Sequence, residues 1–269
     1  MKFYLVEIID DDVLKKLNQE FIFTSKLEEA DIVITRNLKI DKEFIDKALS
    51  LKCIAIHGTG ISEVDIEYAK SKGIVVFNAP YQNYESVAEF NCLLALEASR
   101  KYGIGHEMFH KKACILGNGH IGKRTEEILR NAFLMDTVIY KRNDNLEEML
   151  YDRDYVFICM SLNDDNYHFF NKKTLSYLKK GVILINTARG PLVNEEDLSV
   201  YLKNGHILCY ASDVFEDDPL KIDNPILKLN VIGYPHIASN TKEALSNIGN
   251  LLYLQIIDFK NGIKPKHSL

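Results

Sequence analysis

The sequence predicts an α/β protein of parallel sheets in which one α/β unit is inserted into another, and three observations predict it. Short β-branched runs alternate with amphipathic helical stretches along most of the chain. Those runs are continuously apolar, the pattern of strands covered by helices on both faces. Two long helical patterns, from Glu85 to Lys101 and from Asn240 to about Lys260, stand at the seams with no low-complexity linker and no internal repeat. The outer unit, which holds both ends of the chain, is then discontinuous.

The strands follow in order. FYLVEII, DIVIT, CIAIHG and IVVF lie in the first eighty residues; ACILG, TVIY, YVFICM, VILINT, ILCYASDV and NVIG lie between 113 and 233. Helix signals fill the gaps. Ser62 with Asp65 reads as a capping-box-like start for a helix that Gly73 closes. Asn194 is the expected N-cap of EEDLSVYLKNG, with Gly205 just past its end. Charged runs such as DRD and NDDN read as solvated loops.

Composition removes several function classes. With 269 residues, 46% of them hydrophobic and 26% charged, the chain is no disordered tail, collagen-like repeat or disulfide-stapled miniprotein. No apolar run approaches the ~20 residues that span a bilayer. The opening MKFYLVEIIDDD is too short in its apolar part for a signal peptide and reads as a first strand, so a cytoplasmic location and no membrane partner are expected. A formal charge of −5 argues against nucleic-acid binding, which needs a basic surface. The five cysteines, at 53, 92, 114, 159 and 209, show no C-x-x-C and no Cys/His ligand spacing. Buried reduced thiols and no metal site are expected.

ACILGNGHIGKR places Gly117, Gly119 and Gly122 directly after a strand and at the opening of a helix. A bare G-x-G-x-x-G is weak evidence, but here the next strand, TVIY, follows about 20 residues on, as the dinucleotide-binding unit requires. The first glycine permits the tight turn and the second lets backbone N–H groups approach a pyrophosphate. The third lets the helix pack close to the strand with its dipole facing the anion. His120 and Ile121 complete the turn.

Downstream come INTARGPLVNEEDL, SDVFEDDP and PHIAS; upstream comes GTGISEVDIEYAKSKGIVVFNAPYQNYESVAE. Together with GNGHIG these motifs, from about residue 50 to 245, resemble the D-isomer-specific 2-hydroxyacid dehydrogenases, the family of phosphoglycerate dehydrogenase and glyoxylate/hydroxypyruvate reductase. The resemblance implies an α/β fold of two Rossmann-like domains, a cofactor domain inserted into a discontinuous substrate domain. It puts the substrate domain at 1–90 and 242–269 and the dinucleotide-binding domain at 91–241. It implies hydride transfer between a nicotinamide cofactor and a small 2-hydroxy or 2-oxo acid.

Carried over residue by residue, the resemblance makes Arg189, of INTARG, the group that orients the acid's carboxylate and carbonyl with a planar charged fork. His236, of PHIAS, becomes the acid–base catalyst. Asp218, where the family usually has Glu, becomes its carboxylate partner, with Glu216 the nearby alternative. Asp213 matches the acid that meets the nicotinamide carboxamide, and Thr187 and Ala188 would lie along the nicotinamide. Gly58, Thr59 and Gly60 would offer backbone donors to the substrate carboxylate. His57, Tyr81 and Tyr84 lie close in sequence to these motifs, with packing the expected role, and His168 is expected to be structural.

At the end of TVIY, where an NAD-binding domain carries an acid for the ribose, stand Lys141 and Arg142. Two cations suit a 2′-phosphate, so NADP(H) is expected over NAD(H); Asp144 keeps NAD(H) open. The segment between Glu89 and Gly117 is shorter than in full-length relatives, and the missing piece corresponds to the arm around which they dimerise, which weakens the implied homodimer. Glyoxylate or hydroxypyruvate is the expected substrate, with phosphoglycerate next. A dinucleotide-sensing protein, like the family's corepressor branch, is the alternative from another class.

Overall fold

The structure is a computed structural model that describes residues 1–7, 9–102, 105–217 and 220–269. The chain divides into two compact units, Met1–Asn83 with Asn240–Leu269, and Tyr84–Ser239. The first contains β1 (Lys2–Leu5), α1 (Asp11–Glu20), β2 (Ile22–Phe23), β3 (Ile32–Thr35), α2 (Lys42–Lys47), β4 (Cys53–Ile56), α3 (Ile66–Ser71) and β5 (Val75–Asn78). The second runs α4 (Tyr84–Lys101), β6 (Lys112–Leu116), α5 (His120–Phe133), β7 (Asp136–Tyr140), α6 (Leu146–Leu150) and β8 (Tyr155–Ile158). It continues with α7 (Lys172–Leu175), β9 (Val182–Asn186), α8 (Glu195–Lys203), β10 (Ile207–Ser212) and β11 (Val231–Gly233), after which α9 (Lys242–Lys260) belongs to the first unit again.

Among the described residues each unit has one sheet, and every strand pairing in both is parallel. The strand orders are β2-β1-β3-β4-β5 and β11-β10-β9-β8-β6-β7. Counted within each unit, both follow the doubly wound order 2-1-3-4-5, the second with one strand more. The order reverses between β1 and β3 in one unit and between β6 and β8 in the other. Such switch points open a crevice at the carboxyl ends of the strands. This is the α/β fold of two Rossmann-like units expected from the sequence.

Both faces of each sheet are covered, which is why the strands read as unbroken apolar runs. In the six-stranded sheet Cys114, Leu116, Val156, Ile158 and Leu184 face one core, while Ala113, Ile115, Phe157, Ile183 and Ile185 face the other. Truncating such a side chain, Leu184→Ala for instance, is expected to cost about 2–5 kcal/mol. All five cysteines are free; Cys53, Cys92, Cys114 and Cys209 are buried and Cys159 is half-buried. No helix among the described residues is long and apolar enough to cross a membrane.

Helix starts follow side-chain chemistry. Asp10, Asp41, Asn194 and Thr241 cap α1, α2, α8 and α9 by accepting backbone N–H groups of the first turn. For α3 the structure corrects the sequence reading: Asp65, not Ser62, is the N-cap and accepts the Tyr68 N–H at 3.0 Å. The Ser62 hydroxyl instead bonds Glu63. Gly73 and Gly205, both at positive φ, lie just past α3 and α8. The amino-terminal edge of the six-stranded sheet carries an ion-pair network, Lys112–Asp152, Arg153–Asp136, Arg153–Asp152 and Lys179–Asp154, at 2.6–3.2 Å.

Candidate active site

In the second unit the motif residues gather on one edge, because each follows the carboxyl end of a strand. Gly117 follows β6, Lys141 follows β7, Thr187 to Arg189 follow β9, Asp213 follows β10, and His236 lies three residues past β11. A parallel sheet puts all of these exits on the same side.

The glycine turn has the dimensions that a phosphate-binding turn needs. Gly117 has φ +123°, and a Cβ there would lie 2.6 Å from the Cys159 carbonyl oxygen. A Cβ on Gly122 would lie 2.0 Å from the Gly117 carbonyl oxygen, so α5 packs against its own turn at backbone distance. Around Gly119 a Cβ would meet nothing within 4 Å. Gly119 is also the N-cap of α5 and supplies no side-chain bond, so the helix presents its first N–H groups uncapped. Open space at one glycine and close packing at the other two fit a dinucleotide pyrophosphate. His120 is exposed and its ring lies 5.7 Å from that of Tyr84.

Beyond β7 the Lys141 N–H donates to Asp144 Oδ2 at 2.8 Å, and the Asp144 N–H donates back to the Lys141 carbonyl at 2.9 Å. The Asp144 carboxylate therefore closes its own turn. Arg142 pairs with Asp165 at 3.2 Å, both side chains mostly in solvent. The Lys141 side chain is exposed and has no ion-pair partner among the described residues.

Asn186, the buried last residue of β9, shapes the arginine turn. Its Oδ1 accepts the Ala188 N–H at 3.0 Å, and its Nδ2 donates to the Arg189 carbonyl at 3.0 Å and to the Tyr210 hydroxyl at 3.1 Å. Half-buried Arg189 donates one guanidinium N–H to the Ala188 carbonyl at 2.7 Å. No carboxylate pairs with it among the described residues, so most of a planar, permanently charged fork stays available to an anion.

Asp213 is 1% exposed and braces the histidine loop. Its two carboxylate oxygens accept the N–H groups of Ile237 and Ala238 at 2.8 and 2.7 Å, and its carbonyl accepts the His236 N–H at 2.9 Å. His236 itself has φ +58°, a left-handed conformation that a non-glycine residue holds only when its surroundings impose it. The Ser86 hydroxyl of α4 donates to the Ala238 carbonyl at 2.6 Å and fastens the loop from its other side.

Asp218 lies outside the described residues. Glu216, the alternative acid, is engaged elsewhere: its Oε1 lies 2.7 Å from His168 Nε2 and accepts the Glu195 N–H at 3.3 Å. The other ring nitrogen of His168 meets Asn194 at 3.1 Å, so this histidine ties α8 to the segment after β10.

In the first unit Gly58, Thr59 and Gly60 follow β4. The Gly58 N–H is spent on the Ile56 carbonyl at 2.9 Å, and Asn78 Nδ2 holds the Thr59 carbonyl at 2.9 Å. The N–H groups of Thr59 and Gly60 have no partner among the described residues. His57 is 1% exposed with both ring nitrogens unpartnered. Burial, then the nearby Arg36 charge, lower its pKa to about 4, so it is a neutral interior group. Tyr81 is exposed.

Sequence reasoning missed the polar residues behind these loops: Ser86, Asn91, Thr125 and Asn186. Asn91 had a signal, since it falls on the apolar stripe of α4 with Ala88, Ala95 and Ala98, where a polar residue needs a reason. Among the described residues no group of three or more His, Cys, Asp or Glu is placed to hold a metal ion.

Comparison with known proteins agrees with this geometry. The family model described as D-isomer specific 2-hydroxyacid dehydrogenase, NAD binding domain, matches residues 81–238. The D-3-phosphoglycerate dehydrogenase of Methanocaldococcus jannaschii is 33% identical, over 94% of this chain and 54% of its own length. Glyoxylate/hydroxypyruvate reductase B of Yersinia pestis is 29% identical, over 82% of this chain and 78% of its own. The crystal structure of the TT0316 protein from Thermus thermophilus superposes with a TM-score of 0.90 at 25% identity, covering 100% of both chains. This chain spans about half the length of the phosphoglycerate dehydrogenases it matches.

Proposed function

The chain belongs to the D-isomer-specific 2-hydroxyacid dehydrogenase family, and on that premise we propose that it is an NAD(P)-dependent oxidoreductase that reduces a small 2-oxoacid to its 2-hydroxy acid. Glyoxylate or hydroxypyruvate is the proposed substrate and NADP(H) the proposed cofactor. The observation that carries the reading is a half-buried guanidinium without a carboxylate partner among the described residues, on the same sheet edge as an uncapped glycine turn.

When bound, the nicotinamide supplies a hydride to C2 of the oxoacid. Gly117, Gly119, His120, Ile121 and Gly122 hold the pyrophosphate against α5. Lys141 and Arg142 meet a 2′-phosphate, which would draw Arg142 from its solvent-exposed pair with Asp165. Thr187, Ala188 and Asp213 line the nicotinamide. Arg189 grips the substrate carboxylate and stabilises negative charge as the carbonyl oxygen becomes an alkoxide. His236 gives that oxygen its proton, and Asp218 is assigned as the acid that favours the imidazolium before transfer. Thr59 and Gly60 supply the free N–H groups of the substrate loop. Asp213 both serves the nicotinamide and keeps His236 in its turn.

The unit Tyr84–Ser239 is assigned to the dinucleotide and the unit Met1–Asn83 with Asn240–Leu269 to the substrate. A homodimer and a cytoplasmic location come with the family and belong to the proposal. The test is a panel of 2-oxoacids with NADPH and NADH, followed by nicotinamide absorbance, in the full chain and in two variants. His236→Ala is expected to lower kcat about 100-fold, and Arg189→Ala to damage both kcat and KM. Tight dinucleotide binding without turnover of any 2-oxoacid would replace the enzyme reading with that of a sensor.

A further inference from the structure

The polar residues behind the arginine turn form a chain of hydrogen bonds that the reading above leaves unused. Asn91 sits in the middle of α4 with 0% of its surface exposed. Its Oδ1 accepts the Thr187 hydroxyl at 2.8 Å, and its Nδ2 donates to the Thr125 hydroxyl at 3.0 Å. The same Nδ2 lies 3.6 Å from Cys159 Sγ, at the exit of β8. Thr125 belongs to α5, the helix whose N-terminus carries the glycine turn, and is itself 0% exposed. Thr187 is the residue between Asn186, which shapes the arginine turn, and Ala188. One amide thus spans α4, α5 and the exit of β9.

A buried amide costs free energy unless both of its ends are satisfied. The neighbouring positions on this face of α4, Val87, Ala88, Leu94 and Ala95, are apolar, so an apolar residue would fill position 91 without that cost. What the asparagine adds is direction. It accepts a hydrogen bond from Thr187 and donates one to Thr125, which sets the rotation of the 187–189 backbone relative to α5. Asn186 holds the same turn from the strand side. With both asparagines in place the Arg189 backbone is pinned at two points before its long side chain begins.

We propose that Asn91 is a positioning residue that locks the turn aiming Arg189 to the helix that carries the dinucleotide-binding glycines. The inference rests on the assignment of Arg189 as the substrate's carboxylate ligand. It predicts that loss of Asn91 disturbs the acid more than the cofactor.

The test uses the full chain with Asn91→Leu, Thr125→Val and the double variant. The readouts are 2-oxoacid kinetics with NADPH, the NADPH dissociation constant from nicotinamide fluorescence, and amide hydrogen exchange at residues 187–190. Asn91→Leu is expected to lower kcat/KM for the oxoacid about tenfold, the worth of one buried hydrogen bond. NADPH affinity should change by less than about threefold, and exchange at 187–190 should rise by about tenfold, as the same loss implies. Thr125→Val should show a smaller effect, and the double variant should be no worse than Asn91→Leu alone, because both cut one chain. If Asn91→Leu does not fold, Thr125→Val carries the test, since it exchanges only a hydroxyl for a methyl on the same chain of hydrogen bonds. Unchanged kcat/KM and unchanged exchange overturn the proposal, as do losses that add in the double variant. If the unmodified chain turns over no 2-oxoacid, the dehydrogenase reading fails, and exchange at 187–190 alone decides the coupling.

Discussion

Two glycines three residues apart ought to fail in opposite ways when each is given a methyl group. At Gly122 the added Cβ would lie 2.0 Å from the Gly117 carbonyl oxygen and 3.3 Å from Ile115 Cγ2. The nearest obstacle is backbone, so α5 or the turn must move by more than an ångström, and overpacking of that kind costs about 1–3 kcal/mol or more. For a unit of this size each kcal/mol lowers Tm by about 2–4 °C, so Gly122→Ala should melt roughly 2–12 °C early. At Gly119 the Cβ enters open space. Only a modest N-cap preference is lost there, about 0.5–1 kcal/mol. If a pyrophosphate occupies that space, however, the methyl blocks its approach, and dinucleotide affinity should fall at least ~10-fold, or 1.4 kcal/mol. The assay is differential scanning fluorimetry paired with a fluorescence titration of NADPH for both variants. A Gly119→Ala protein that binds NADPH as tightly as the unmodified chain would refute the turn as the phosphate site. A Gly122→Ala protein of unchanged Tm would refute the close packing.

Other predictions follow from the same geometry. Asp213→Asn replaces one of two charge-assisted acceptors by a donor facing an N–H, a loss of about 1.5–3 kcal/mol; kcat should fall roughly 10-fold or more, with faster amide exchange at 236–238, and an unchanged kcat would show that the brace is idle. Lys141→Ala with Arg142→Ala should raise KM for NADPH far more than for NADH, from a starting NADPH preference of about tenfold; equal affinity for both cofactors in the unmodified chain would rule out this use of the loop. Burial first, and the Arg36 charge after it, lower the folded pKa of His57 from 6.5 to about 4, against a smaller upward pull from Asp10 and Glu7. The unfolded chain then binds the extra proton more readily, so this group's contribution is full above pH 6.5 and is lost as pH falls toward 4, by about 3 kcal/mol. Urea unfolding should show a shallower loss of stability between pH 7 and 4.5 in His57→Leu, and parallel curves would exclude the imidazole as the cause.

Much of the fold was legible because covered parallel strands leave an unmistakable imprint. VILINT and YVFICM became β9 and β8 since both faces of each are buried. The strand that escaped notice, Ile22–Phe23, has two residues and both are exposed at the sheet edge, so neither length nor burial marks it. Ser62 with Asp65 reads in the sequence as a single capping box, whereas Asp65 is itself the N-cap and takes the Tyr68 N–H; spacing alone does not say which of two polar residues caps. In the candidate site, the glycines and Arg189 stood out because their motifs lie contiguous in the chain. Asn91 and Thr125 did not, because Asn91 meets Thr125 and Thr187 only after α4, α5 and β9 have packed. The double use of Asp213, with both oxygens taken by the loop that holds His236, likewise belongs to tertiary structure: 24 residues separate it from Ile237.

The two edges of the six-stranded sheet carry different burdens. Lys112, Asp136, Asp152, Arg153, Asp154 and Lys179 crowd the amino-terminal edge in mutual ion pairs, and the described residues assigned to chemistry in this unit follow the carboxyl ends of its strands. Stabilising substitutions are commonly costly at strained positions near a site, and His236 holds a left-handed conformation. The charged edge carries no such penalty. Selection for heat tolerance could therefore act on this chain by reworking the lower rim, where ion-pair networks gain in value as temperature rises, and leave turnover untouched.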